Sequence, residues 1–150
     1  MMNLTYKQKG AEIIEFVLIL PFLLFILFGI MEFGIVLYDK AIITNASREG
    51  ARSGVAFKCP LLTTAQIQAV VNNYSTGLVS FASTKAVPVI TVIPAPPSTI
   101  TNCGANSGTP LKVTVSYSYQ FLVFGNLFGL LVPGFSNPLI LSATTVMNYE

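Results

Sequence analysis

The chain contains no histidine and few charges of any kind. Its 150 residues include 8 lysines and arginines and 6 acidic residues, so charged side chains make up 9% of the sequence and the formal net charge is +2. The absence of histidine removes the commonest general base and the commonest metal ligand. A net charge of +2 is too small to indicate nucleic-acid binding. Hydrophobic residues make up 53% of the chain, which excludes both a disordered chain and an ordinary soluble surface.

Sites for chemistry are also missing from the sequence. We find no phosphate-binding loop, nucleophile elbow or metal-ligand spacing, and the serines and threonines have no histidine to act as their base. We therefore expect no enzyme, no cofactor, no metal and no small-molecule substrate. The two cysteines, Cys59 and Cys103, cannot form a four-ligand zinc site by themselves. In an oxidising compartment they can pair and close a loop of about 44 residues, which stabilises a fold by roughly 3–4 kcal/mol in the chain-entropy model. Two unpaired buried thiols are the alternative.

One long apolar run lies near the N-terminus. Residues 13–38 contain only two charged side chains, Glu15 and Glu32. At about 1.5 Å per residue, a helix of this length crosses the ~30 Å hydrocarbon core of a bilayer. Because a helix satisfies its own backbone hydrogen bonds, we predict a single membrane-spanning helix. Pro21 removes one backbone donor and predicts a kink or a local gap in the helical hydrogen bonds.

The helical pattern continues beyond the apolar run. We predict one helix over residues 11–55, with its first half in lipid and its second half outside. Ala46, Gly50 and Gly54 place a small residue at every fourth position. Such a face predicts close approach by another element. Fraying of the helix end at the two glycines is the alternative.

The residues at the start of the apolar run do not form an ordinary secretory signal. Lys7 and Lys9 precede Gly10, and no small-x-small cleavage site follows the run. Glu15 and Phe16 stand five and six residues after Gly10. A basic leader, a glycine and a Glu-Phe pair at the mouth of an apolar helix resemble the class III signal of type IV prepilins.

This resemblance implies processing and a specific role for the glutamate. In that family a prepilin peptidase cuts after the glycine on the cytoplasmic side and leaves the apolar helix on the mature protein. Cleavage here would fall between Gly10 and Ala11 and would remove residues 1–10 as a leader peptide. Glu15, followed by Phe16, would then guide assembly by pairing with the new amino group of Ala11 or its counterpart on a neighbouring subunit. The alternative is an uncleaved signal anchor with Glu15 solvated at the headgroup level.

Three further segments narrow the resemblance to one family. They are Ile-Leu-Pro at residues 19–21, Glu-Phe-Gly at 32–34 and Asn-Ala-Ser-Arg-Glu-Gly-Ala-Arg at 45–52. Together they resemble the TadE-like family, which comprises minor pilins or pseudopilins of the tight-adherence (Tad) pilus in the type IV pilus superfamily. The resemblance is specific over about residues 10–52 and weak afterwards.

Membership of this family would imply a structural role in a filament system. The protein would be inserted in the bacterial inner membrane, cut by a prepilin peptidase and used in assembling or priming a Tad pilus for adhesion or secretion. Its partners would be the membrane, the peptidase, other pilins and the assembly platform. Two alternatives are an uncleaved membrane-anchored accessory or adaptor domain and a membrane-anchored enzyme or ligand-binding domain.

The charges that flank the apolar run predict its orientation. Lys7 and Lys9 precede the run with no acid beside them, whereas Asp39 and Lys40 cancel just after it. The positive-inside bias therefore places the N-terminus in the cytoplasm and residues 40–150 in the periplasm or outside the cell.

Residues 56–150 predict a small head domain that includes one short helix. Thr63 is a typical cap for a helix that follows it. The apolar residues of this segment fall on one face: Ile67, Val70, Val71, Tyr74, Leu78 and Phe81. Asn72, Asn73 and Ser75 are predicted to point away from that face. This pattern is typical of a helix packed on a core.

Three strands are predicted after the short helix. Residues 87–93 are rich in β-branched side chains, and Pro88 among them indicates an edge strand. Residues 112–124 alternate between apolar and hydroxyl side chains, which indicates a sheet with one wet face. Residues 139–149 are again β-branched and partly alternating.

The fold class that we predict is α+β and pilin-like. A long N-terminal transmembrane helix continues into a small head with one short helix and an antiparallel sheet of about three strands. The uncharged apolar segment 123–138 either packs under that sheet or is exposed as a contact patch. The charged residues that remain after Arg52 are few: Lys58, Lys85, Lys112 and Glu150.

Overall fold

The structure of the protein is a computed structural model. It describes residues 5–56, 60–81, 86–94, 108–125 and 138–149, with side chains from residue 10 onwards. Both cysteines and most of the apolar segment between the last two predicted strands lie outside the described residues. The disulfide and the location of that segment therefore stay predictions.

Helix α1 runs without interruption from Thr5 to Val55. Its end agrees with the prediction, but its start lies earlier than the predicted start near Ala11. Gly10 is the only poor helix former in the intervening stretch, and one glycine costs a helix only about 1 kcal/mol relative to alanine. The helix also continues through Pro21, since the loss of one backbone hydrogen bond does not end a helix of this length.

The chain divides into two compact units, Met1–Gly34 and Ile35–Glu150. We call the second of these the head unit. The boundary falls inside α1, so the outer part of this helix belongs to the head unit together with every later element.

Helix α2 spans Thr64–Tyr74 and begins at the predicted cap. The backbone N–H of Gln66 donates to Thr63 Oγ1 at 3.3 Å, and the backbone N–H of Thr63 donates to Gln66 Oε1 at 2.9 Å. This reciprocal pair is a capping box, which satisfies two otherwise unpaired backbone donors. The threonine cap is thereby confirmed.

The predicted apolar face of α2 is only partly correct. Ile67 and Val71 are buried on the helix, and Leu78 is buried beyond it, but Tyr74 is 54% exposed. Ser75, which we predicted to point away, is buried, and its Oγ donates to the carbonyl of Val71 at 2.8 Å. The reason is that α2 ends at Tyr74, so helical periodicity no longer decides where the following side chains point.

Three antiparallel strands form the sheet in the order β1-β2-β3. Strand β1 spans Val89–Ile93, β2 spans Pro110–Tyr119 and β3 spans Leu139–Asn148. The predicted edge position of β1 is confirmed, with Pro88 just before the strand. Strand β2 starts slightly earlier and ends earlier than predicted.

The alternation in β2 decides which face of the sheet is buried. Every second residue points into the core and is nearly inaccessible: Leu111, Val113, Val115, Tyr117 and Tyr119. The intervening side chains, Lys112 to Ser118, face outward and are exposed or half-exposed. A long apolar helix, a short helix and a three-stranded antiparallel sheet together confirm the predicted α+β pilin-like fold class.

Candidate functional site

The predicted processing and assembly residues all lie on the exposed surface of α1. Gly10, Ala11, Glu15 and Phe16 each have an exposed side chain or backbone. Ala11 and Glu15 are four residues apart, so they lie on the same face of the helix about one turn apart. A Cβ atom added at Gly10 would have nothing within 4 Å, so a larger residue fits there without disturbing the fold.

The side chains of the apolar half of α1 are not buried by any other part of the described structure. Residues 10–31 contain no buried side chain. Over its described part, Gly10–Val55, α1 is long and apolar enough to cross a membrane, and its most apolar window has a mean hydropathy of 2.9 with 0% buried. A fully exposed apolar helix is unfavourable in water and favourable in hydrocarbon. The helix therefore fits a single-pass membrane protein.

Burial on α1 begins at Glu32. This side chain is only 5% exposed, and the next buried positions, Val36, Asp39 and Ile43, follow at spacings of four, three and four. Two of these four residues are acidic. In the sequence, Glu32 is one of two charges within the apolar run, and Asp39 is paired with Lys40 just after it. The spacing of three and four was the signal that could have placed both on the buried face.

Asp39 holds a buried polar junction inside the head unit. Its Oδ1 accepts a hydrogen bond from the backbone N–H of Val79 at 3.0 Å. The carbonyl of Val79 accepts a hydrogen bond from the Tyr117 hydroxyl at 2.9 Å. One backbone unit thus links α1 to β2. Asp39 Oδ2 is buried and has no hydrogen-bond partner among the residues that the structure describes.

Burial shifts the acidity of both side chains at this junction. Desolvation raises the pKa of the Asp39 carboxyl, and the hydrogen bond from Val79 offsets part of that increase. Desolvation also raises the pKa of the Tyr117 hydroxyl. The hydrogen bond with Ser80 offsets part of that increase, and the nearby Asp39 charge adds to it. The folded head unit therefore favours the protonated form of both groups.

This shift makes the stability of the head unit depend on pH. The folded state holds the Asp39 proton more tightly than the unfolded chain, in which the pKa is the ordinary 3.8. The stability of the head unit should therefore rise as pH falls from neutral through the folded pKa towards 3.8, and should fall as pH rises through the same range. Asparagine has nearly the same shape as aspartate and does not titrate, so Asp39→Asn should reduce the change of stability with pH. Urea unfolding of the full chain in detergent between pH 7.5 and 4.5 tests it. Equal slopes for the two chains would contradict the assignment to Asp39.

The small-residue face of α1 packs against the head unit itself. A Cβ atom at Gly50 would collide with the side chain of Val71 and would lie 3.4 Å from Val113 Cγ1. A Cβ atom at Gly54 would collide with the Leu111 side chain. Ala46 is fully buried. In this structure the neighbours of the face are therefore α2 and β2 of the same chain.

The 45–52 segment divides into an inner and an outer half. Its small residues are buried: Ala46, Ser47, Gly50 and Ala51. Ser47 Oγ lies 2.8 Å from Thr145 Oγ1 of β3. Asn45, Arg48 and Arg52 are exposed, and the Arg52–Glu49 pair at 3.4 Å is a surface ion pair of little energetic value. The inner half therefore builds the head, while the outer half remains available at the surface.

The disulfide between Cys59 and Cys103 stays a prediction. In an oxidising compartment we expect one bridge within each chain, because the sequence offers no other intrachain pairing. Alkylation of the purified full chain before and after reduction measures it. Complete alkylation of both thiols without a reductant would contradict the bridge.

The geometry defines a single-pass helix that is built into the core of an α+β head, as in a pilin-like protein. Residues 10–52 match the family model of the TadE-like protein. This match confirms, over those residues, the resemblance inferred from the sequence. It covers the apolar half of α1 and the 45–52 segment. A search of curated proteins and a search of solved structures found no match.

Proposed function

We propose that the protein is a pseudopilin or minor pilin of a Tad-type pilus. The observation that carries this proposal is the TadE-like match over residues 10–52. The match contains the glycine and glutamate of the prepilin-like signal, the apolar span and the segment through which α1 enters the core. The protein supplies packing surfaces, and energy-dependent assembly belongs to partner proteins.

The two halves of α1 have separate tasks in this proposal. The apolar half anchors the chain in the inner membrane and later packs against the equivalent helices of other pilins. Its exposed apolar side chains suit both environments, because neither lipid nor a helix bundle requires polar groups there. The outer half is already occupied by the head unit through Ala46, Gly50 and Gly54. Assembly contacts are therefore expected from the apolar half and the outer surface of the head.

Orientation follows from the flanking charges. With Lys7 and Lys9 on the cytoplasmic side, Gly10 is accessible to a prepilin peptidase, which cuts at that side of the inner membrane. The head unit then lies in the periplasm, where a disulfide is chemically permitted. The other partners in this proposal are other pilins or pseudopilins and the assembly platform.

Cleavage after Gly10 is the direct test of the proposal. In cells with a prepilin peptidase, the membrane-extracted chain should lack residues 1–10, as measured by intact mass. Gly10→Leu should prevent this loss, and the open space around Gly10 means that failure reflects recognition by the peptidase and not misfolding. Gly34→Leu is a matched control, since Gly34 also has nothing within 4 Å.

The outcome also separates the proposal from its main alternative. A full-length chain in the presence of the peptidase, absent from sheared pili, would identify an uncleaved membrane-anchored accessory or adaptor domain. Loss of the leader together with recovery of the chain in the pilus fraction supports a pilin.

A further inference from the structure

The contacts along α1 show that Tyr38 lies at the same end of the head unit as the last residues of β2. Near its C-terminal end, α1 packs at Gly54 on Leu111, close to the start of β2. Further back, Asp39 is joined through one backbone unit to Tyr117, near the end of β2. The helix rises about 22 Å between its two contact points and the strand about 20 Å between its own. The two elements therefore lie side by side, and the end of β2 lies at the Tyr38 end of the head unit.

Exposed apolar side chains collect at this end. Phe81 makes an edge-to-face contact with Tyr119, with ring centroids 6.5 Å apart, and Leu139 pairs with Tyr119 across the sheet. Ile140 follows Leu139, and the chain after β2 continues into Leu122 and Val123. We call four of these residues the end patch, and their exposed fractions are 38% for Phe81, 60% for Leu122, 39% for Val123 and 72% for Ile140.

Most charged groups in the described head unit lie away from the end patch. Lys112 lies at the start of β2, and the exposed Arg48 and Arg52 lie on the part of α1 that follows Ser47. Near the Tyr38 end, Asp39 is buried, and Lys40 Nζ donates to a β3 carbonyl. Among the described residues of the head unit, Lys40 is thus the exposed charged side chain near the end patch, since its partner carbonyl belongs to Ser142, two residues from Ile140.

We propose that the end patch docks on the surface of the bilayer, with its side chains in the headgroup and upper acyl region. The apolar run ends at Tyr38, and Tyr38 belongs to this end of the head unit, so no linker separates the patch from the membrane. Exposed apolar side chains with one basic group, Lys40, beside them among the described residues match the chemistry of interfacial membrane contacts. The inference depends on the membrane span and not on pilus assembly. It predicts that the head rests on lipid before any assembly.

The absence of tryptophan from the chain allows a direct measurement. Single tryptophans are placed in the full-length protein at Ile140 and at Val146, and the protein is reconstituted in phosphatidylcholine vesicles with or without brominated acyl chains. Both positions are exposed on the same face of β3, and they are about 20 Å apart along the strand. Bromine quenches tryptophan only at close range.

Docking predicts that Ile140→Trp loses roughly half of its fluorescence in brominated vesicles, as expected for a side chain about 5–10 Å into the interface. Val146→Trp should keep its fluorescence. Leu122→Trp should behave like Ile140→Trp and guards against a folding defect at one position. Phe25→Trp, within the apolar run, should be quenched whether or not the head docks.

Three results would overturn the inference. In the first, Phe25→Trp is quenched, but Ile140→Trp and Leu122→Trp remain as bright as Val146→Trp. This result would mean that the span lies in lipid and that the head lies in water. In the second, the emission of Ile140→Trp and Leu122→Trp shifts to the blue without quenching, which shows that protein and not lipid covers the patch. In the third, Phe25→Trp is not quenched, which removes the span on which the docking depends. Failure of leader cleavage, by contrast, would affect the proposed function alone.

Discussion

A chain carrying Glu15→Ala is expected to be cut and inserted normally and to be absent from assembled pili. In the proposed function, processing depends on Gly10 and the basic leader, which this substitution leaves intact. Assembly in this proposal depends on a charge pair that the substitution removes. Recovery in sheared pili, relative to the membrane fraction, should fall from a clear signal to background.

The physical reason is the cost of a carboxylate in an apolar environment. An unpaired carboxylate at depth in a membrane costs about 2–3 kcal/mol or more. After the proposed cleavage, Glu15 would lie near the N-terminal, positive end of the helix dipole, which would offset part of this cost. Removal of residues 1–10 would leave an ammonium group on Ala11, one helical turn from Glu15 on the same face. A neighbouring subunit can offer the same group, and the pair then fixes the axial step between subunits.

Glu12→Ala is the matched control for this experiment. Glu12 and Glu15 are both exposed on α1 and belong to the same turn, but Glu12 lies next to the new N-terminus and not one turn away on the face of Ala11. We expect the Glu12→Ala chain to be recovered in pili. If Glu15→Ala chains are also recovered at the parental level, Glu15 is only an interfacial charge and the pairing mechanism is wrong.

The second large effect is expected at Gly50. Substitution by alanine should lower the stability of the head unit by about 1–3 kcal/mol, the usual cost of overpacking a close contact. The new methyl group would collide with Val71, whose branched side chain has little rotamer freedom, and would press on Val113. This loss must exceed the gain of about 1 kcal/mol that alanine brings to a helix interior.

Gly34→Ala separates the cost of overpacking from the gain in helix propensity. Gly34 lies in the same helix with nothing within 4 Å of its added Cβ, so alanine there should be neutral or stabilising. Thermal unfolding of the three full-length chains in the same detergent, followed by circular dichroism, gives the comparison. A Gly50→Ala chain at least as stable as the parent would show that Val71 moves aside and that close approach is not required.

Local patterns were sufficient for the secondary structure and the family resemblance. The apolar run and the small residues at spacing four predicted the C-terminal extent of α1. Thr63 predicted the start of α2, and alternation predicted the buried face of β2. Each of these signals acts over a few residues, through helical or strand periodicity or through a capping hydrogen bond. Such signals do not depend on which other element lies nearby.

The tertiary structure decided which elements cover each face. The sequence identified a small-residue face on α1, but only the structure shows Val71 and Leu111 packed on it. It placed Asp39 at the membrane surface beside a compensating lysine, whereas Asp39 is buried against Val79. The physical reason is that these contacts join residues about 20–60 positions apart. Helical spacing can indicate which face of α1 is buried, but it does not indicate which distant segment covers that face. By itself the sequence determined a helix long and apolar enough to cross a membrane, an α+β head and a TadE-like N-terminal segment. Long-range packing alone decided that the buried polar junction of the head is made by α1.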